Sequence, residues 1–366
     1  MSTLQKQQDL IPHKATHPGV LIADELDVRD DINQKDLAHL LGVKSSFLNE
    51  IIKGKRPITA DTALLLEKAL EISADFWLKF QAQYDLDVAR IKERNIAKVK
   101  NIEIWNIIKI YVPINAFKKL GYINENIEDN IEKIFEIFKV DNINDLINQF
   151  AERKFSFYRK SEKLTTDEKN LFSWSALAEY EVSKKVVNQF NDSNYTVLID
   201  ELNQAFYNNN NLLENIQVIL ANYGIKLAFL KKLDKTPVDG YSFWSEDNPA
   251  IVLTLRYNRV DYLAFTLFHE LGHVFLHLIN NKESKFLDID EKEKTIYEEQ
   301  ADKFASEHLI KQEVWELFKN YRFPVLDTNI LNFANTYKIH PSILFGRMCF
   351  ESGNFKIKTI IPKEIR

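Results

Sequence analysis

Residues Phe265–His277 read F-T-L-F-H-E-L-G-H-V-F-L-H. His269 and His273 stand four apart, and Glu270 follows the first directly. Residues i and i+4 of an α-helix lie one above the other on one face. Two imidazoles so placed reach a single metal ion, and the carboxylate between them turns towards the water that ion would hold. Leu267, Phe268, Leu271, Val274, Phe275, Leu276 and Leu278 make the helix largely apolar, hence buried. A titrating group in such a helix needs a partner or a metal. The competing reading is a pair of structural histidines bonded to one another's surroundings.

A further ligand is sought downstream, where Tyr297–Ile310 reads Y-E-E-Q-A-D-K-F-A-S-E-H-L-I. As a helix it sets Ala301, Phe304, Ala305 and His308 along one stripe, and Glu298, three residues before Ala301, projects from that face. Glu299 falls with Lys303 and Glu307 on the solvated side. Glu298 is therefore the expected third ligand. Asp302, one turn beyond it, is placed to accept the free ring N–H of a ligating histidine. His277 continues the His269–His273 column, but residues eight apart on a straight helix are separated by about 12 Å, so it reads as structural. Two histidines and one carboxylate suit Zn2+, with Mn2+ or Fe2+ also compatible.

H-E-L-G-H followed by E-x-x-A-D-x-F-A resembles the ImmA/IrrE family of bacterial metallopeptidases, a gluzincin-like group. The resemblance takes in Asp239-Gly240, the strand-like A-I-V-L-T-L of Ala250–Leu255, Arg259 and the run Tyr337–Arg347. It implies a zincin-like metallopeptidase domain over 201–366 with C-terminal helices, in which Glu270 is the catalytic base. Asp302 stands where members more often carry Asn.

Composition bounds the rest. The chain has 366 residues, enough for two or three domains. A single cysteine, Cys349, excludes an internal disulfide and a Cys-rich zinc site, and fits a reducing cytosol. The N-terminal residues carry no apolar secretion signal, and no apolar run approaches the roughly 20 residues of a membrane span; a cytoplasmic protein without membrane contact is expected. A net charge of −5 leaves any DNA contact to a local basic patch.

Such a patch lies near the N-terminus. After a polar segment, 1–16, short helices are expected at Val20–Leu26, Gln34–Leu41, Lys44–Lys53, Thr59 or Asp61 to Leu70, and Ser73–Tyr84. Gly42-Val43 makes a tight turn between the second and third, the arrangement of a helix-turn-helix whose second helix enters a major groove. Leu37, Ala38, Leu41, Val43, Leu48 and Ile51 would form its core. Ser45, Ser46 and Asn49, with Gln34 at the start of the preceding helix, are left to read base edges. Lys44, Lys53, Lys55 and Arg56 ring the motif and could hold phosphates. A plain helical bundle is the rival, because Asp24, Glu25, Asp27, Asp30, Asp31 and Asp36 make the neighbouring surface acidic.

H-P-G, Q-K-D-L-A-H-L-L-G-V, G-K-R-P-I-T-A-D-T-A-L-L-L and S-A-D-F-W-L-K-F-Q-A-Q-Y-D-L resemble the HigA-like branch of XRE-type regulators across 17–86. This implies an operator-binding domain, commonly a homodimer, of the kind found in antitoxins. Lys44 replaces the usual Ser, so the N-cap of the third helix is expected at Ser45.

Residues 87–200 read as a helical connector, with helices at Ile127–Val140, Ile143–Arg153 and Leu171–Phe190, the last opened by a Thr165–Glu168 capping box. Phe155, Phe157, Tyr158, Phe172 and Trp174 read as core. Leu212–Tyr223 is helical, and Ile225–Leu230, Gly240–Trp244 and Ile251–Leu255 are extended, with a turn at 245–249. The expected architecture is mainly α with a small antiparallel sheet (α+β). It comprises a helix-turn-helix bundle, a helical connector and a zincin-like domain. The leading functional expectation is a DNA-binding zinc endopeptidase that regulates transcription, stress or a toxin–antitoxin pair by cutting a regulatory protein. The alternative is an antitoxin-like repressor whose peptidase-like domain is structural, sensory or a scaffold for a cognate toxin.

Overall fold

The computed structural model describes residues 12–158, 168–289, 295–323 and 325–366. It divides into two compact units, Met1–Ile104 and Trp105–Arg366.

In the first unit α1 (Gly19–Val28), α2 (Gln34–Leu40), α3 (Ser45–Ile52) and α4 (Ala60–Leu70) precede a long α5 (Ala74–Tyr111), which this unit holds as far as Ile104. Ile22, Leu37, Leu48, Ile51, Leu66 and Trp77 are fully buried among them. The Asn33 side chain accepts the N–H groups of Lys35 and Asp36, and Asp36 returns a bond to Asn33 N–H, so a capping box starts α2. Gly42, at φ +64°, supplies the left-handed turn into α3. The N-cap of α3 is Lys44, in an extended conformation and without a side-chain cap bond. The shift to Ser45 does not occur, because Ser45 already has helical backbone. The H-P-G motif seats α1 on the end of α3. A Cβ on Gly19 would stand 2.0 Å from Ile51 O, while buried His17 accepts the Gly19 N–H at its Nδ1. The helix expected to stop at Tyr84 continues to Tyr111. No glycine or proline interrupts 85–112, and Pro113 ends the run.

The second unit holds α6 (Ile114–Lys119), α7 (Ile127–Phe138), α8 (Ile143–Tyr158), α9 (Glu168–Ser183), α10 (Tyr195–Asn208) and α11 (Leu212–Asn222). Of the stretch expected as a connector, 87–200, the part from Trp105 onward belongs to this unit. Every face of α9 is buried, for it packs against α7 and also against the sheet. Phe172 meets Phe138 and Phe150, and Trp174 meets Tyr241. The helix ends at Ser183 and not at Phe190, because Asn188 turns away to bond the carbonyls of Ala221 and Asn222 at the end of α11. Thr165 and the side chains of Phe155, Phe157 and Tyr158 lie outside the described residues.

The sheet differs from expectation. It has four strands, β1 (Lys226–Phe229), β2 (Val238–Ser245), β3 (Asn248–Leu253) and β4 (Lys285–Ile289), in the order β1-β3-β2-β4. β2 pairs antiparallel with β3 and β4, but β1 runs parallel to β3, so the sheet is mixed. The reason is in β3: Ala250, Ile251, Val252 and Leu253 are all buried. A strand covered on both faces takes a central place. The chain therefore passes over it between β1 and β2. The missed strand, β4, sits at the edge.

After β3 comes α12 (Val260–Gly272), which continues as a π-turn over His273–Leu278. Its partner is α13 (Ile296–Leu309), followed by α14 (Gln312–Phe318), α15 (Asp327–Tyr337) and α16 (Pro341–Ser352). α12 packs on α13, α16 and the sheet. The C-terminal tail returns to bond two helix starts: Lys363 O accepts Val260 N–H, and Arg366 O accepts Leu212 N–H.

Candidate functional site

Gly272 sets the approach of α12 to α13. A Cβ there would stand 2.9 Å from Ala301 Cα and 3.2 Å from Phe304 Cβ, so only glycine lets the helices come this close. Thr295 caps α13 by accepting the Glu298 N–H. Glu298, one turn before Ala301, is thereby brought to the level of His269 and His273. His269 Nε2 lies 3.0 Å from Glu298 Oε2 and 3.1 Å from His273 Nε2, and His273 Nε2 lies 3.6 Å from Glu298 Oε1. Donors about 2.0–2.1 Å from a tetrahedral centre stand about 3.3 Å from one another. The three side chains thus present the edges of such a site.

Their ring orientations follow from hydrogen bonds. His269 Nδ1 is 2.9 Å from Asp302 Oδ1, so Nδ1–H donates to that carboxylate and Nε2 is the nitrogen turned to Glu298 and His273. A second chain starts at Gln300, whose Oε1 accepts from His277 Nε2–H at 2.9 Å. His277 Nδ1 is then the acceptor for His273 Nδ1–H at 3.1 Å, and His273 Nε2 is left free. His277 stands four residues beyond His273, the spacing that sets side chains on one face of a helix, and so reaches its ring directly.

Glu270 is fully buried. Ser242 Oγ, from β2, donates to its Oε2, while Oε1 has no partner among the described residues. Gly240 makes room for it: a Cβ there would lie 1.9 Å from Oε1. Burial pushes the Glu270 carboxyl up to about 8, against the neighbouring His269, with Asp288 adding to the rise. Burial likewise lifts Asp288, on β4, to about 6. Burial disfavours charge on His269, but the bonds to Asp302 and Glu298 outweigh it and hold the imidazole well above its ordinary range. Burial acts against the Glu298 carboxylate too, and the two histidines hold it far below the usual range. Glu270, Asp288, Glu298 and Asp302 therefore crowd two imidazoles in a place that calls for positive charge. His269, Glu270 and Asp288 also bring donor atoms within 4.8 Å of one another. A divalent cation fits this donor set.

The centre opens into a cleft of about 750 Å3, walled by β4 and lined by Tyr262, His269, Asp288, Tyr297 and Glu298. Burial raises the Tyr262 hydroxyl above the ordinary range, and the nearby Asp239 carboxylate adds to the rise. Asp288, Ser242, Gly240 and Gln300 were not found from the sequence. Gln300 lies inside the quoted Tyr297–Ile310 stretch, but nothing in its spacing marks a partner for His277. The other three are brought in by the sheet, and only the D-G pair at Asp239-Gly240 hinted at a special position.

On the first unit, Lys44, Ser45, Ser46, Lys53, Lys55 and Arg56 are exposed around α3, and Gln34 and Asn49 are half-buried. Arg56 is not idle: it pairs with Glu50 at 2.8 Å and lies 4.8 Å over the Phe47 ring.

A family model described as "IrrE N-terminal-like domain" matches residues 221–343, and one described as "Helix-turn-helix" matches residues 27–77. Virulence-associated protein I of Dichelobacter nodosus is 38% identical over 82 residues, covering 22% of this chain and 76% of that protein. Virulence-associated protein A' of the same organism is 44% identical over 85 residues, covering 23% and 71%. The solved Pseudomonas aeruginosa antitoxin HigA with higBA promoter is 32% identical, with a TM-score of 0.22, covering 23% of this chain and 91% of that one.

Proposed function

Because this chain belongs to the XRE-type helix-turn-helix family and joins that domain to an IrrE-like metallopeptidase domain, we propose that it is a DNA-binding, zinc-dependent endopeptidase of bacterial regulatory type. Its partners are operator DNA, bound as a homodimer through α3, and a regulatory protein, toxin or repressor that it cuts in the cytoplasm. No described helix is long and apolar enough to cross a membrane. The observation that carries the reading is the convergence of His269 Nε2, His273 Nε2 and the Glu298 carboxylate at tetrahedral spacing, with Glu270 on the same helix.

A zinc ion held by His269, His273 and Glu298 would polarise a peptide carbonyl and lower the pKa of a bound water towards 7. Glu270 takes the proton of the attacking water at Oε1, the oxygen that Ser242 leaves free, and passes it to the leaving amine. Asp302 and the Gln300–His277 pair keep both imidazoles in the ligating tautomer. The exposed edge of β4 offers main-chain groups along the cleft, to which an extended substrate adds as a further strand.

The test is metal content and cleavage in three proteins: wild type, Glu270→Gln and Glu298→Ala. About one zinc per chain is expected in the first two. Glu298→Ala loses it, and Glu270→Gln loses hydrolysis while keeping metal. Wild type that takes up no metal when zinc is supplied overturns the peptidase reading. Metal retained by Glu298→Ala overturns the ligand set.

A further inference from the structure

A second cavity, of about 530 Å3, lies beside the metal cleft, between the start of α12, α13, α16 and the C-terminal tail. Tyr262 and Phe265, on the helix that carries the ligands, line both spaces. Its size is that of a small-molecule site, and its walls are mainly apolar, including Leu309, Phe345 and the exposed rim residues Phe350 and Phe355.

Its charged groups are mostly committed. Arg259 makes a two-point pair with Asp261, which cancels both charges. Arg347 is spent on Glu351 and on the carbonyls of Ser306 and Ile310. Lys363 differs. Its Nζ lies 4.3 Å over the Phe345 ring, and no carboxylate stands within ion-pair distance of it among the described residues. An ammonium group resting on an aromatic face in an apolar cavity is complementary to an anion. Cys349 is buried in the same lining: burial raises its thiol, the charges of Lys363 and Arg259 act against that rise, and Asp261, which Arg259 pairs, adds to it.

We propose that this cavity is a binding site for a small amphipathic anion, an acyl or aryl chain ending in a carboxylate. The head pairs with Lys363, and the chain lies against Phe345 and Phe265. None of His269, His273 and Glu298 lines this cavity, and binding there does not depend on peptidase activity.

The test uses full-length protein with octanoate and octanol, probes that differ in the carboxylate alone, measured by calorimetry. Wild type is expected to bind octanoate saturably and about tenfold or more tighter than octanol. Lys363→Met is expected to bring octanoate down to the level of octanol and to leave octanol unchanged. Equal affinity for the two probes in wild type overturns the proposal, as does a Lys363→Met variant with undiminished preference for octanoate. Location is read independently in wild type, whose only cysteine is Cys349. Saturating octanoate slows its alkylation, and an unchanged rate refutes the assignment even where the variant fails to fold.

Discussion

Gly240→Ala tests the packing that holds the candidate base. The new Cβ would stand 1.9 Å from Glu270 Oε1, 2.5 Å from Cδ and 2.8 Å from Cγ. That is about 1.5 Å short of ordinary van der Waals contact. The strand cannot retreat, since Gly240 pairs with Leu253 on one side and Asp288 on the other. Glu270 cannot easily yield either, being fully buried and tied to Ser242. Overpacking of this kind costs about 1–3 kcal/mol. Glu270→Ala by itself removes a buried oxygen without a partner, which recovers about 1–3 kcal/mol and offsets the cavity it leaves. Alanine lacks Cγ, Cδ and Oε1, so Gly240→Ala should be nearly silent in the Glu270→Ala background. A double-mutant cycle, read by urea unfolding of metal-free full-length protein, should therefore show a coupling of about 1–3 kcal/mol. Additivity within about 0.5 kcal/mol would refute the contact and the role given to Gly240.

Two further outcomes follow from particular groups. Burial, opposed by Asp261, lowers the His340 imidazole to about 4, and its Nδ1 caps α16 by accepting the Ser342 N–H. The unfolded chain takes this proton near pH 6.5 and the folded chain only near 4. The stabilisation is thus complete above 6.5 and lost as pH falls towards 4, by about 2–3 kcal/mol. His340→Asn caps without titrating, so urea unfolding at pH 7.5 and 4.5 should show a smaller acid loss than wild type, and equal losses would remove the assignment. On the first unit, exposed Lys53 is assigned to a phosphate. Lys53→Ala should lower the slope of log affinity against log salt on random-sequence duplex by about one, and an unaltered slope would exclude that contact.

The helix-turn-helix and the metal helix were legible because each is a local pattern. In the first, Leu37, Ala38, Leu48 and Ile51 recur at helical spacing around Gly42, and the structure buries all four. Glu298 was separable from Glu299 by helix face alone. The length of α5 was also written in 85–112, which has neither glycine nor proline, although the expected helix stopped at Tyr84. The parallel pairing of β1 with β3 had no such signal. Strand order depends on which strand both layers cover, and α9, which covers one face, lies about 70 residues upstream of β3.

From the sequence alone came the i, i+4 column of His269 and His273, the carboxylate beside it and the candidate third ligand on a following helix. Each follows from the period of an α-helix, which residues a few positions apart determine between themselves. Only the tertiary structure decided how those groups are held. Gly272 against Ala301 brings α13 close enough for Glu298 to meet the two histidines, and Gln300 orients His273 through His277. Ser242, Gly240 and Asp288 reach Glu270 and His269 from strands that precede and follow the metal helix. These contacts join residues with no common period, and only the packing of helix on helix and helix on sheet selects them.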